Sequence, residues 1–176
     1  LCQRINEIMV YATNTGIIDS NPLSGISAAF PKPPKRHLPA LSPAHAPALL
    51  SSIECAKIDE ITRHCLLWQL HTMVRPSEAT GARWDEIDLI NRTWTIPPDR
   101  TKTKRKSHRV PLTDQTVSLL DDLKVLSGRR EHLFPSARNP SKSLNPQSPN
   151  MALKRMGYSG RLVAHGFRTI ASTALN

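Results

Sequence analysis

Three separated segments of this 176-residue chain carry groups suited to phosphodiester chemistry. The first is Arg75, in His71-Thr72-Met73-Val74-Arg75-Pro76-Ser77-Glu78, just after an apolar stretch and beside a proline. A guanidinium held at such a break can turn its planar fork inward, and that fork grips two phosphate oxygens at once. Glu78, three residues on, shares its face and can steady it. Taken alone, the pair reads equally as a structural ion pair of the weak exposed kind. The second segment is Arg100-Thr101-Lys102-Thr103-Lys104-Arg105-Lys106-Ser107-His108-Arg109, with six cations in ten residues. Such a loop repels itself until it meets an anion, and a lysine in a positive cluster becomes a better general acid because its pKa falls. A solvated or targeting-type basic run is the plainer alternative. The third is His165-Gly166-Phe167-Arg168, whose i,i+3 spacing places an imidazole and a guanidinium on one face at a helix start. A phosphate there meets a charge clamp and an acid/base group together, although an isolated His-x-x-Arg is common by chance.

The elements that must position these groups follow from periodicity and turn signals. Ile58 to Thr72 reads as a helix broken at Arg75-Pro76, which starts a short one. Ser42-Pro43 opens the preceding helix toward Cys55, with Pro47 expected to distort its first turns. Ile87 and Leu89, then Thr93 to Ile96, predict a hairpin, and Arg109-Val110-Pro111 a third strand after the basic loop. Thr113 caps a helix closed by Gly128, residues 135–147 read as loop, and Ser148-Pro149 opens a helix ended by Gly157. Tyr158 then falls in the loop entering a last helix near His165. The expected fold class is α+β and mainly helical, around a small three-stranded antiparallel sheet. Upstream, Leu1, Ile5, Ile8, Met9 and Ala12 share one helical face, with Gly16 as its stop. Residues 31–39, with four prolines and three cations, read as a semi-extended linker.

Composition narrows the partners. Twenty-four Lys and Arg against fourteen Asp and Glu give a formal charge of +10 and a pI near 10.1, the footprint of a polyanion binder. Aromatic content of 5% argues against a stacking RNA-binding module. No apolar run has the length of a membrane span and no signal-peptide order stands at the N-terminus, so a soluble, intracellular protein is expected. Cys2, Cys55 and Cys65 show no paired spacing and read as reduced, mostly buried small hydrophobes, with neither a disulfide nor a zinc site.

In order and context, Arg75-Pro76-Ser77-Glu78, Thr101-Lys102-Thr103 and His165-Gly166-Phe167-Arg168 resemble the tyrosine recombinase, or phage integrase, family in its prophage-integrase branch. Arg83-Trp84-Asp85-Glu86-Ile87-Asp88, Val110-Pro111-Leu112-Thr113 and Leu133-Phe134-Pro135 are similar to the family's phrasing between its motifs. The resemblance covers residues 38–176. It implies that residues 1–28 close a preceding core-site DNA-binding domain, 29–40 form the linker, and 41–176 belong to the catalytic domain.

It further implies site-specific recombination through a 3′-phosphotyrosyl intermediate. Arg75 and Arg168 would clamp the scissile phosphate and Lys102 would protonate the 5′-hydroxyl leaving group, with Lys104 and Lys106 as competitors for that role. His165 would assist proton transfer, Glu78 would support Arg75, and Lys104, Arg105 and Lys106 would contact DNA. No cofactor, metal, membrane or small-molecule substrate is implied; duplex DNA is the partner, with higher-order assembly upon it in the intact protein. The family's nucleophilic tyrosine lies well beyond His-x-x-Arg, whereas Tyr11 and Tyr158 both precede it. The expectation is therefore a chain that binds DNA without cutting it, and self-association where further helices would cover the core. A non-catalytic DNA-binding remnant and a type IB topoisomerase-like domain are the alternatives.

Overall fold

The computed structural model describes residues 1–31, 38–101 and 104–175. Most of the expected linker, and Lys102 itself, lie outside the described residues. The chain divides into two units, Leu1–His37 and Leu38–Asn176.

In the first unit, helix α1 spans Cys2–Asn14 and a 3-10 turn spans Ile26–Ala29. The Asn21 side chain ties the segment between them, its amide donating to Asn6 Oδ1 at 2.9 Å while its own Oδ1 accepts from Leu23 N–H at 2.9 Å. No side chain of α1 is fully buried, and Ile8 and Tyr11 are exposed.

The second unit opens with a 3-10 turn, Pro43–His45, running into α2, Ala46–Cys55. The expected distortion near Pro47 shows as this 3-10 turn: Pro47 has no N–H for the Pro43 carbonyl, which accepts from Ala46 N–H instead, so α-helical winding starts only at Ala46. Helix α3, Glu60–Thr72, starts under an Asp59 cap whose carboxylate accepts from Thr62 N–H at 3.0 Å. It stops at Met73, whose φ of 54° is the left-handed turn that ends many helices. The short α4, Pro76–Thr80, follows.

Strands β1 (Ile87–Asp88), β2 (Thr93–Ile96) and β3 (His108–Pro111) form an antiparallel sheet in that order, with Trp94 paired to Ile87 on one side and Val110 on the other. The β1 strand is shorter than the apolar residues suggested, because Asp88 accepts from the Asn91 backbone at 2.9 Å and turns the chain. Helix α5, Asp114–Ser127, begins at the expected Thr113 cap. Helix α6, Ser148–Leu153, unwinds through a wide turn, Lys154–Tyr158, that contains Gly157 at φ 88°. Tyr158 thus closes α6 instead of entering the last helix, α7, Gly166–Leu175.

Two hydrophobic clusters hold this unit together. One gathers Trp68, Trp94, Phe134, Val74, Ile96 and Leu120 between the sheet, α3 and α5. Ring centroids lie 5.2 Å apart for Trp68 and Trp94, and 6.4 Å for Trp68 and Phe134, tilted as aromatic quadrupoles prefer. The other joins Leu49, Ile53, Leu66, Leu153, Phe167 and Ile170 across α2, α3, α6 and α7. Helix α3 serves both, so every residue from Cys65 to Leu70 is buried, polar Gln69 included. Of the cysteines only Cys65 is buried, and burial pushes its thiol pKa up; Cys55 is exposed and Cys2 is half-buried, against the expectation that most would be covered.

Candidate functional site

Arg75 lies between α3 and α4 with extended backbone angles, and Pro76 fixes the first helical position after it. Glu78, 1% exposed, accepts twice from Arg75: from its backbone N–H at 3.0 Å and from its guanidinium at 2.8 Å. The i,i+3 pair expected from spacing is therefore a capping interaction as well as an ion pair. It leaves the Arg75 side chain 37% exposed, with its remaining donors open to an anion.

Arg168 comes to the same place from α7. Its guanidinium donates to the carbonyl of Met73 at 2.6 Å, two residues before Arg75 in the chain. That carbonyl is free to accept because the left-handed turn at Met73 ends the helical ladder. Gly166 lets α7 approach: a Cβ there would meet the Pro39 carbonyl at 2.6 Å. Phe167 is fully buried and anchors the helix.

A residue not anticipated from sequence links the two arginine segments. Gln69 is fully buried on α3, and its Nε2 donates to the carbonyls of Ala164 at 3.0 Å and Val74 at 3.4 Å. One amide thus bridges the residue before Arg75 and the residue before His165. The available signal was a polar side chain inside the apolar run Cys65-Leu66-Leu67-Trp68-Gln69-Leu70.

Arg75, Glu78, Thr101, Lys106, Ser107, His108 and Arg168 line a cleft of about 330 Å³. It brings together both arginines, Glu78 and one lysine of the basic loop. Lys104 and Arg105 are exposed and stand outside its lining, and exposed His165 also stands outside it, immediately before α7. Thr101, Ser107 and His108 are added. Their signal was adjacency to the loop cations at the ends of two paired strands, since His108 pairs with Ile96.

Arg100 behaves differently from its loop neighbours. Its side chain is only 15% exposed and pairs with Glu86, and its Nη2 donates to the Glu78 carbonyl at 3.0 Å. The run of cations read as one basic surface therefore begins with an inward-facing member. Tyr158 points elsewhere, its hydroxyl donating to Ser52 Oγ at 3.1 Å. No group of three or more His, Cys, Asp or Glu side chains converges as a metal site among the described residues, and no described helix is long and apolar enough to cross a membrane.

The geometry therefore offers an open cleft with Arg75, Lys106 and Arg168 in its lining. Residues 40–176 match the phage integrase family. The prophage integrase IntA of Escherichia coli (strain K12) is 50% identical over 176 residues, which is 100% of this chain and 42% of that protein. The integrase of Enterobacteria phage P4 is 37% identical over 188 residues, covering 99% of this chain and 43% of that protein. The chain thus spans less than half the length of these relatives. Among solved structures, a lambda integrase dimer bound to a COC′ core site superposes with a TM-score of 0.69 at 14% identity, over 97% of this chain and 49% of that one. The Tn1549 transposon integrase in complex with circular intermediate DNA gives a TM-score of 0.69 at 15% identity, over 99% and 66%. At such identities the likeness is one of fold.

Proposed function

The chain belongs to the phage integrase family, the tyrosine recombinases, and on that premise we propose that it forms the phosphate-gripping part of a site-specific DNA recombinase acting in prophage integration and excision. The observation that carries this reading is the convergence of Arg75 and Arg168 on one cleft beside the basic loop. Two guanidinium forks in one lining suit the non-bridging oxygens of a scissile phosphate, whose charge spreads outward in the transition state. The duplex DNA held by the lambda and Tn1549 structures supports DNA as the partner, and the lambda dimer supports assembly of more than one copy upon it.

In the intact protein, a tyrosine oxygen forms a bond to phosphorus as the bond from phosphorus to the 5′-oxygen breaks. Lys102 gives its proton to that departing oxygen, and His165 assists removal of the proton from the nucleophile. Lys106 lies in the cleft lining and is the described alternative to Lys102. Lys104 and Arg105, exposed on the loop, contact the backbone of the same duplex. His165 stands outside the cleft lining, so its part depends on the DNA drawing the start of α7 against the cleft.

Tyr158 is engaged with Ser52 and Tyr11 lies on α1, so we assign the nucleophile to neither. Binding to duplex DNA measured across salt concentrations tests the reading, with Arg75→Ala and Arg168→Ala alongside. A steep loss of affinity with salt is expected, weakened further in both variants. Binding indifferent to salt, or a covalent adduct on a suicide substrate formed by this chain, would overturn it.

A further inference from the structure

The basic loop begins at a residue that faces away from solvent. Arg100 closes the 3-10 turn Pro98–Arg100, and its guanidinium reaches two other elements at once. One nitrogen pairs with Glu86, which is 7% exposed and sits on the 3-10 turn Trp84–Glu86. The Glu86 carboxylate also accepts from Trp94 Nε1 at 3.0 Å and from the Arg83 backbone at 3.2 Å, so it is fixed before Arg100 arrives. The other nitrogen donates to the Glu78 carbonyl on α4. Gly81 clears its seat, since a Cβ there would stand 2.8 Å from Arg100 Nη2. A buried ion pair is by itself weak support for stability, because desolvation cancels most of its attraction. What this pair supplies is position.

From Arg100 a short path runs each way. Thr101, 7% exposed, follows it, and its hydroxyl lies within reach of the Pro98 and Lys106 carbonyls, at 2.9 and 3.3 Å, so it pins the two ends of the loop together. In the other direction the residue whose carbonyl Arg100 holds is Glu78, whose carboxylate holds Arg75. We propose that Arg100, locked by Glu86, is a positioning residue that couples the order of the basic loop to the Arg75 turn, so that an anion gripped by Arg75 also sets the loop. Arg100 itself is not in the cleft lining and touches no phosphate. A lysine cannot replace it, because one ammonium on a flexible stem does not span a carboxylate and a carbonyl on separate elements in a fixed fork.

This inference rests on the DNA-binding reading of the cleft, and amide hydrogen exchange on the full chain, with and without duplex DNA, separates the two. In the unchanged protein DNA slows exchange across residues 104–107 by about tenfold or more, as ordering of a loop requires. Arg100→Met keeps DNA binding within about fivefold, because the phosphate contacts remain, yet slows those amides less than about twofold. Arg100→Lys, which preserves charge and pairing with Glu86, behaves as the methionine variant does and decides the matter if that one fails to fold. Glu86→Gln, which keeps its acceptor oxygen for Trp94, falls between. Loop protection in a folded Arg100 variant equal to that of the unchanged protein overturns the coupling. DNA binding without loop protection in the unchanged protein also overturns it while sparing the DNA-binding reading. Absence of any DNA binding removes both.

Discussion

Gln69 shows how one side chain decides whether two distant arginines meet. Its Nε2 serves the carbonyls of Ala164 and Val74, and no solvent reaches it. Gln69→Leu removes the donor and leaves both carbonyls buried, for a loss of about 1–3 kcal/mol in urea unfolding. DNA affinity should fall as well, because the Arg168 segment loses its tie to the Arg75 turn. Unchanged affinity at unchanged stability would show that α7 is held by its apolar face alone. Arg75→Lys asks a different question at the same scale. The charge and the backbone N–H bond to Glu78 stay but the planar fork and its own bond to Glu78 go, so DNA binding weakens by about tenfold with its salt slope intact. Arg75, Glu78 and Arg168 were legible in the sequence because their types are unusual beside proline or at a helix start. Gln69 and Arg100 were not, since one looked like a flaw in an apolar run and the other like one more surface cation. Residue type does not reveal the direction in which a side chain points, and tertiary partners on α4 and on the Trp84–Glu86 turn set that direction for Arg100.

At the scale of elements, the loop between β2 and β3 presents Lys104, Arg105 and Lys106 as exposed cations on a strand-anchored base. Replacing all three with alanine should lower the dependence of log affinity on log salt by up to about 3 × 0.9, one increment for each phosphate contact removed. A slope that stays put after the triple change would place the loop off the DNA. Most elements could be read ahead of the structure, for physical reasons that differ from one to the next. Helix α5 carries its own cap at Thr113, β2 its β-branched and aromatic run from Thr93 to Ile96, and α4 its Pro76 start with Glu78 three residues later. The end of α6 was legible at Gly157, whose φ of 88° breaks the winding, but the widening of the ladder through Lys154–Tyr158 was not, since no residue type marks it. Pro47 was legible as well, because a proline with no N–H for the Pro43 carbonyl leaves the turn before it in 3-10 form.

Across residues 38–175, α3 belongs to two hydrophobic clusters at once, with Trp68 in one and Leu66 in the other. Neither cluster can dissolve without stripping one side of the same helix. Leu66→Ala should therefore cost about 2–5 kcal/mol and still unfold in a single transition, seen alike by tryptophan fluorescence and circular dichroism. Two separated transitions would mean that the clusters melt independently. The same unit sets how stability responds to acid. Burial holds the imidazoles of His71 and His132 below the usual 6.5, and for His132 neighbouring Glu131 only partly offsets that effect. A histidine that resists protonation when folded and accepts a proton at 6.5 when unfolded stabilises the fold fully above that pH, and the contribution drains away as pH falls below it. With a net charge of +10 already in place, every imidazole that gains a proton adds to self-repulsion in the compact state. Urea midpoints measured at about pH 7.5 and about pH 5.5 should therefore differ in favour of the higher pH, and a His71→Gln/His132→Gln variant should flatten the difference. If the variant keeps the full pH dependence, its source is the general accumulation of positive charge and not these two partly covered rings.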